Sequence, residues 1–236
     1  FLTSVAYAVN PSLYANAGYD PFTDFLPVIL APSTPNLITV NPAVPAKNLQ
    51  ELVALARAKP GSLNYASSGP GSMPHLAGEL LKQRTGAQLD DVPYKGGGQA
   101  VIDVLGGQIP LVFTAIATAQ QYVRGGRLVA LGVPGAKRSA ALPDVPTFAE
   151  AAQVPDFEVV SWHMLLAPSG TPKEIVARLH TEMNRIMAAP DMQQKINAIG
   201  LLPVGAPSLE AIQKFVASER EKWGTLVQKL GLAGSQ

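Results

Sequence analysis

The sequence predicts an α/β fold built on a mostly parallel sheet with helices on both faces, and three observations carry that prediction. Short β-rich runs alternate with segments of helical periodicity, in the order βαβαβ and onward. Pro and Gly, 21 of each, collect at the junctions between those segments. Hydrophobic residues fill 47% of the 236 positions and charged residues 15%, which supplies one large core or two modest ones.

Taken in order, "PVILA" and "NLITVN" read as strands. "NLQELVALARAKP" puts Leu49, Leu52, Val53 and Ala56 on one helical face, with Asn48 and Glu51 spaced as a capping box and Pro60-Gly61 as the stop. "LNYAS" is a strand, and Ser72 to Thr85 a helix that turns Leu76, Ala77, Leu80 and Leu81 inward. "DDVPY" is a further strand, followed by "KGGG" and the helix "QAVIDVL". The alternation continues through "IPLVFTAI", "ATAQQYVRGG" and "RLVALGV". The turn-rich "PGAKRSAALPDVPTFAEA" reads as a boundary before "FEVVSWHMLLAP", a long strand. Thr171, Pro172 and Glu174 then open a helix carrying Ile175, Leu179, Met183 and Ile186, which stops at Pro190. A shorter helix reaches Gly200, and "LLPVG" is a strand candidate. Ser208 caps a final helix whose inward stripe is Ile212, Phe215, Val216, Trp223, Leu226 and Val227.

Composition excludes several functions. Lys and Arg number 18 against 17 Asp and Glu, so the net charge of +1 offers no basic field for nucleic acid or an anionic membrane. No apolar run approaches the roughly 20 residues of a membrane span. With no Cys, disulfides, thiolate metal sites and cysteine nucleophiles are absent. The opening "FLTSVAYAV" lacks the basic n-region of a signal peptide and reads as an internal start.

The most informative stretch is "SSGPGS", which joins a strand to a helix where a parallel sheet opens its ligand crevice. Gly69 and Gly71 would let a ligand approach the backbone, Ser67, Ser68 and Ser72 carry hydroxyl donors, and a helix N-terminus adds unpaired N–H groups and partial positive charge. A carboxylate suits such a place. "YKGGGQA" repeats the strand, glycine loop, helix organisation, so two helix N-termini are expected to face one cleft. Neither loop is a nucleotide fingerprint, because the P-loop Gly-Lys-Ser/Thr is missing and Pro74 and Val101 occupy the last position of G-x-G-x-x-G. There is also no G-x-S-x-G elbow.

The three His stand in unrelated contexts. His75, in the first helical turn after "SSGPGS", has a buried or capping role as well as a ligand-facing one open to it. His163 lies in a strand as core or site lining, and His180 on an amphipathic helix at the surface. Lys95 is either an anion partner or an exposed loop lysine. Trp162 is a second lining candidate, and Trp223 a core residue.

Four stretches, "YASSGPGSMPHLAGELLKQRTG", "VPYKGGGQAVIDVLGGQI", "LPDVPTFAEA" and "APSGTPKEIVARLH", resemble successive signatures of the Bug family, the extracytoplasmic solute receptors of tripartite tricarboxylate transporters. The resemblance runs through essentially the whole chain. It implies a type II periplasmic binding protein whose two α/β domains hinge around a cleft and close on a small carboxylated metabolite. Residues 1–35 with 160–236 would form one domain and 36–159 the other. No cofactor, metal or catalytic residue is implied, the location is periplasmic, and the partners are the carboxylate and the transporter's membrane permease subunits, the receptor itself being a monomer.

Carried over position by position, the lining residues are Ser67, Ser68, Gly69, Gly71, Ser72, His75, Tyr94, Lys95, Gly96 and Gly97, with Trp162 from the residue reading. Thr114 stands where many relatives place another polar residue, often Asp. Family members normally begin with a strand and a Gly-rich loop bearing an Asp; that segment is not in the sequence, and a site missing one wall is expected to bind weakly. The alternative is the effector-binding domain of a transcriptional regulator or sensor with the same fold.

Overall fold

The computed structural model describes residues 2–152, 157–202 and 208–235. Along the chain it contains β1 (Leu2–Ser4), α1 (Ala6–Leu13), β2 (Phe25–Val40), α2 (Leu49–Ala58), β3 (Asn64–Ser67), α3 (Met73–Thr85), β4 (Asp90–Pro93) and α4 (Gly97–Leu105). There follow β5 (Leu111–Ala115), α5 (Ile116–Arg124), β6 (Val129–Gly132), α6 (Phe148–Ala152), β7 (Val160–Pro168), α7 (Lys173–Ala188), α8 (Pro190–Ala198) and α9 (Leu209–Lys229). The chain forms two compact units, Phe1–Ser33 with Ser161–Gln236, and Thr34–Val160.

In the second unit the strands run in the order β6-β2-β5-β3-β4. The parallel part is β5-β3-β4, with Ser67 opposite Pro93 and Ala66 opposite Val112. β2 runs antiparallel to both β5 and β6. The runs "PVILA" and "NLITVN" are therefore one strand of 16 residues, unbroken by Pro32 and Pro35. The core under α4 and α5 gathers Leu37, Val101, Val104, Val112 and Ile116. On the α3 side, Tyr65 lies edge-on to Phe113, with ring centroids 5.4 Å apart. A Cβ at Gly78 would stand 2.3 Å from the Tyr65 ring, so the missing side chain is what lets α3 close on β3.

Local capping follows the sequence where a side chain can reach the backbone. Asn48 Oδ1 accepts from the Glu51 amide at 2.8 Å, and the Glu51 carboxylate accepts from the Lys47 amide at 2.7 Å. "PTFAE", read as part of a boundary, forms a second reciprocal cap: the Thr147 amide donates to Glu150 at 2.7 Å and the Glu150 amide to Thr147 Oγ1 at 3.2 Å. The Arg138 guanidinium, 2.9 Å from Glu150, is the main influence holding that carboxyl below its ordinary range. With Phe148 buried, this segment packs against β6 as part of the unit.

In the first unit the strand order is β1-β7-β2, with β1 and β7 antiparallel. β7 alternates, burying Trp162, Met164 and Leu166 on one face. Val28, Ala167 and Val176 form a small core with Leu26, Leu165 and Leu209. Of the apolar residues that α7 carries, Ile175, Leu179 and Ile186 are 47%, 41% and 42% exposed, and Val176 is the buried residue. His180 follows Val176 by one turn, half-buried rather than on the surface; its Nδ1 donates to the Val28 carbonyl at 2.7 Å and its Nε2 accepts from Asn184 at 3.0 Å. The start of α7 also differs, with Pro172 at the N-cap and no side-chain cap. Ser208 does cap α9, accepting from the Ala211 amide at 3.1 Å. In "LLPVG", Leu202 bridges Ser33, while 203–205 lie outside the described residues.

Candidate functional site

Because β3, β4 and β5 are parallel, Ser67, Pro93 and Thr114 come to the same edge of the sheet, at the carboxyl ends of their strands. Two loops leave that edge, Ser67–Ser72 into α3 and Tyr94–Gly96 into α4. They are neighbours: the Cβ position of Gly69 faces the Tyr94 carbonyl at 3.8 Å. Thr114, 2% exposed, lies beneath the second loop, with its Oγ1 2.6 Å from where a Cβ on Gly97 would be. Eleven of the twelve sequence candidates, all but Trp162, thus belong to one unit and gather around one strand-end edge.

The first loop spends most of its amides on itself, which narrows the expectation of free amides there. The Gly69 amide donates to Ser67 Oγ at 3.1 Å, the Ser72 amide to the Gly69 carbonyl at 3.1 Å, and the Gly71 amide to His75 Nδ1 at 3.3 Å. The His75 amide is capped by Ser72 at 3.4 Å, and Pro74 has no N–H. Gly69 and Gly71 have φ of +98° and +74°, a left-handed backbone that glycine adopts without a Cβ clash. These glycines are required by the turn itself. Left to a ligand are the hydroxyls of Ser68 and Ser72 and the amides of Ser68 and Met73, which have no acceptor among the described residues.

The second loop has the opposite character. α4 has no side-chain cap, and its backbone ladder begins only at the Ala100 amide, which donates to the Gly96 carbonyl at 3.5 Å. The amides of Gly97, Gly98 and Gln99 stand at the positive end of the helix with no acceptor among the described residues. Lys95 is exposed and makes no ion pair among them. Tyr94 contributes its carbonyl rather than its ring: the ring packs on the α4 core and its hydroxyl donates to Asp103 at 2.7 Å. Burial, aided by Asp103, pushes the Tyr94 phenol up to about 12.

Trp162 belongs to the other unit. It is buried, its indole N–H donates to Glu219 Oε2 at 2.7 Å, and Trp223 donates to the same oxygen at 2.8 Å. Its ring meets Phe215 edge-on at 5.4 Å. Trp162 is thus a core anchor of its own unit. Glu219 escaped the sequence reading because a charge on an apolar stripe looks like a solvated position; its spacing of four from Trp223 was the available signal.

Mixed α/β architecture with glycine loops at parallel strand ends is that of the periplasmic binding proteins, and solved structures bear this out. An R. palustris protein solved with adipate superposes with a TM-score of 0.89 at 34% identity, over 98% of this chain and 77% of that one. The periplasmic binding protein BugD gives a TM-score of 0.87 at 32% identity, over 98% and 78%. The chain belongs to the tripartite tricarboxylate transporter family receptors, whose family model matches residues 1–232. A UPF0065 protein from the tcbD-tcbE intergenic region of a Pseudomonas species is 35% identical over 235 residues, 100% of this chain and 70% of its own length.

Proposed function

We propose that this chain is a periplasmic receptor that captures a small carboxylated metabolite on the two loops and delivers it, as a monomer and by binding alone, to the membrane permease subunits of a tripartite tricarboxylate-type transporter. The observation that carries this reading is the first turn of α4, where three successive amides have no acceptor among the described residues, on a loop that neighbours the serine-bearing one at Gly69 and Tyr94. A carboxylate oxygen satisfies such amides without needing a cationic side chain. Each charge-assisted contact contributes about 1.5–3 kcal/mol, and micromolar affinity needs about 8 kcal/mol net of an association cost of at least about 4. About four to eight contacts are therefore needed, which calls on both loops. The adipate held by the R. palustris relative supports a dicarboxylate as the ligand class.

Calorimetric titration with mono-, di- and tricarboxylates, adipate included, tests the proposal. A dicarboxylate should bind, and Lys95→Ala should keep its affinity within about tenfold, equal to about 1.4 kcal/mol. No heat from any carboxylate would refute the reading, and a hundredfold loss in Lys95→Ala would make the lysine, not the backbone, the principal partner.

A further inference from the structure

Among the described residues, the bonds that hold the amides of the first loop differ in what accepts them. The Gly69 and Ser72 amides go to a hydroxyl and a carbonyl, the Ser67 Oγ and the Gly69 oxygen, which keep their lone pairs whatever the pH. The Gly71 amide goes to an imidazole nitrogen, His75 Nδ1, which accepts only while it carries no proton. That bond assigns the tautomer. With Nδ1 accepting, the single proton of the neutral ring sits on Nε2.

The backbone on either side of the ring is tied down. His75 is 7% exposed, its amide donates to Ser72 Oγ at 3.4 Å, and its carbonyl accepts from the Tyr65 hydroxyl at 3.3 Å. Gly71 is the opposite case: with φ of +74° and no side chain, it has nothing of its own to fix its conformation. We propose that His75 is a positioning residue: its neutral imidazole clasps the Gly71 amide and thereby sets the turn that leads from Ser68 to Ser72, the cap of α3. The importance of that turn for ligand capture rests on the carboxylate reading above; the clasp itself does not.

Acid opens the clasp. Protonated His75 sets an Nδ1–H donor against the Gly71 N–H donor, so the bond is lost and the turn loosens. The titratable and charged groups about the residue are Asp91 from β4, whose carboxylate favours the imidazolium, Glu79 and Lys82 from α3, paired with each other at 2.8 Å, and the Tyr65 phenol from β3.

Nuclear magnetic resonance on the ligand-free, nitrogen-15-labelled chain tests this without reference to any ligand, so its failure is separable from failure of the carboxylate reading. At about pH 8 the His75 Nδ1 should give the shift of an unprotonated nitrogen and a coupling to the Gly71 amide nitrogen across the bond; both should vanish towards about pH 5, the span in which imidazoles ordinarily gain their charge. In His75→Leu at about pH 8, the protection of the Gly71 and Ser72 amides against exchange should fall about tenfold, the factor expected for one lost hydrogen bond, while the Val112 and Phe113 amides of β5 stay unchanged. His75→Asn, whose carboxamide oxygen stands near the place of Nδ1, should restore that protection and make it indifferent to acid. The proposal is overturned if the ring proton is found on Nδ1 at about pH 8, if Gly71 in His75→Leu exchanges within twofold of the parent, if Ser72 does not accelerate with Gly71, if the acid response survives in His75→Asn, or if the β5 amides accelerate in step. Should His75→Leu fail to fold, the shift, the coupling and their pH profile in the parent chain decide it.

Discussion

Gly97→Ala probes the contact that sets the first turn of α4 against the sheet. Gly97 does not occupy the left-handed region, so alanine fits the backbone there and gains about 0.4–1 kcal/mol from the unfolded state. Against that gain, the new Cβ would meet Thr114 Oγ1 at 2.6 Å, where ordinary contacts begin beyond 3.0–3.4 Å. Thr114 is buried and stiff at χ1, so the helix must give way, at about 1–3 kcal/mol for an overpacked core site. The expected net loss is about 1–2 kcal/mol, or roughly 2–8 °C in melting temperature for a chain of this size. Thr114→Ala removes the oxygen and leaves Cβ 3.8 Å away, an ordinary contact, so the double variant should recover the melting temperature of Thr114→Ala alone or exceed it. Scanning calorimetry on the four members of the cycle measures the coupling. Affinity for a carboxylate held at the proposed site should follow the same pattern, because a displaced first turn moves all three amides together. Equal loss on adding Gly97→Ala with or without the threonine oxygen would refute the steric argument.

Alkaline titration addresses the buried phenols. Tyr7 and Tyr94 are pushed up to about 12 by burial, and Tyr65, fully buried and facing Glu79 and Asp91, is raised further. Folded values above the ordinary 10 mean that their contribution is complete below pH 10 and lost as pH rises from 10 through 12, so melting temperature should fall across that window, less steeply in Tyr94→Phe. In the first unit, Glu219→Ala orphans the two indole N–H groups of Trp162 and Trp223, at about 1–3 kcal/mol each, and should lower the melting temperature and shift tryptophan emission; Glu219→Gln, retaining a carbonyl, should recover most of the loss. A melt of Glu219→Ala within a degree of the parent would dismiss the anchor.

Which elements could be read from the sequence depended on how local their causes are. Asn48, Ser72 and Ser208 announce helix starts because each side chain bonds an amide three residues on. The strands β3, β4 and β5 and their order with α3 and α4 follow from alternation and glycine punctuation. β2 was divided at Pro32 and Pro35 because proline removes a ladder donor, yet its pairing with β5 and β6 begins only at Asn36 and Ile38, beyond both prolines. α1 gave no signal: it has eight residues, contains Pro11 and has no side-chain cap. The phase of α7 was obscured because Ile175 and Val176 are adjacent and equally apolar; His180, one turn from Val176, finds the Val28 carbonyl and settles the rotation.

The same distinction separates what was legible at the loops from what was not. Sequence treats the glycines of "SSGPGS" and "YKGGG" as equivalent openings for a ligand, and the structure gives them different reasons. Gly69 and Gly71 answer to φ, and their amides are consumed by Ser67 and His75. Gly97 answers to Thr114, a residue from another strand 17 positions along, and its amide remains unspent. A glycine in a sequence states that a side chain is unwelcome without stating what would collide with it. Only tertiary placement divides donors already used from donors available, and that division shifts the weight of the candidate site from the longer, more conspicuous serine-rich loop to the shorter one. On the proposed reading it also explains how an anion is held with few charged side chains: what serves the ligand is the end of a helix that no described residue caps.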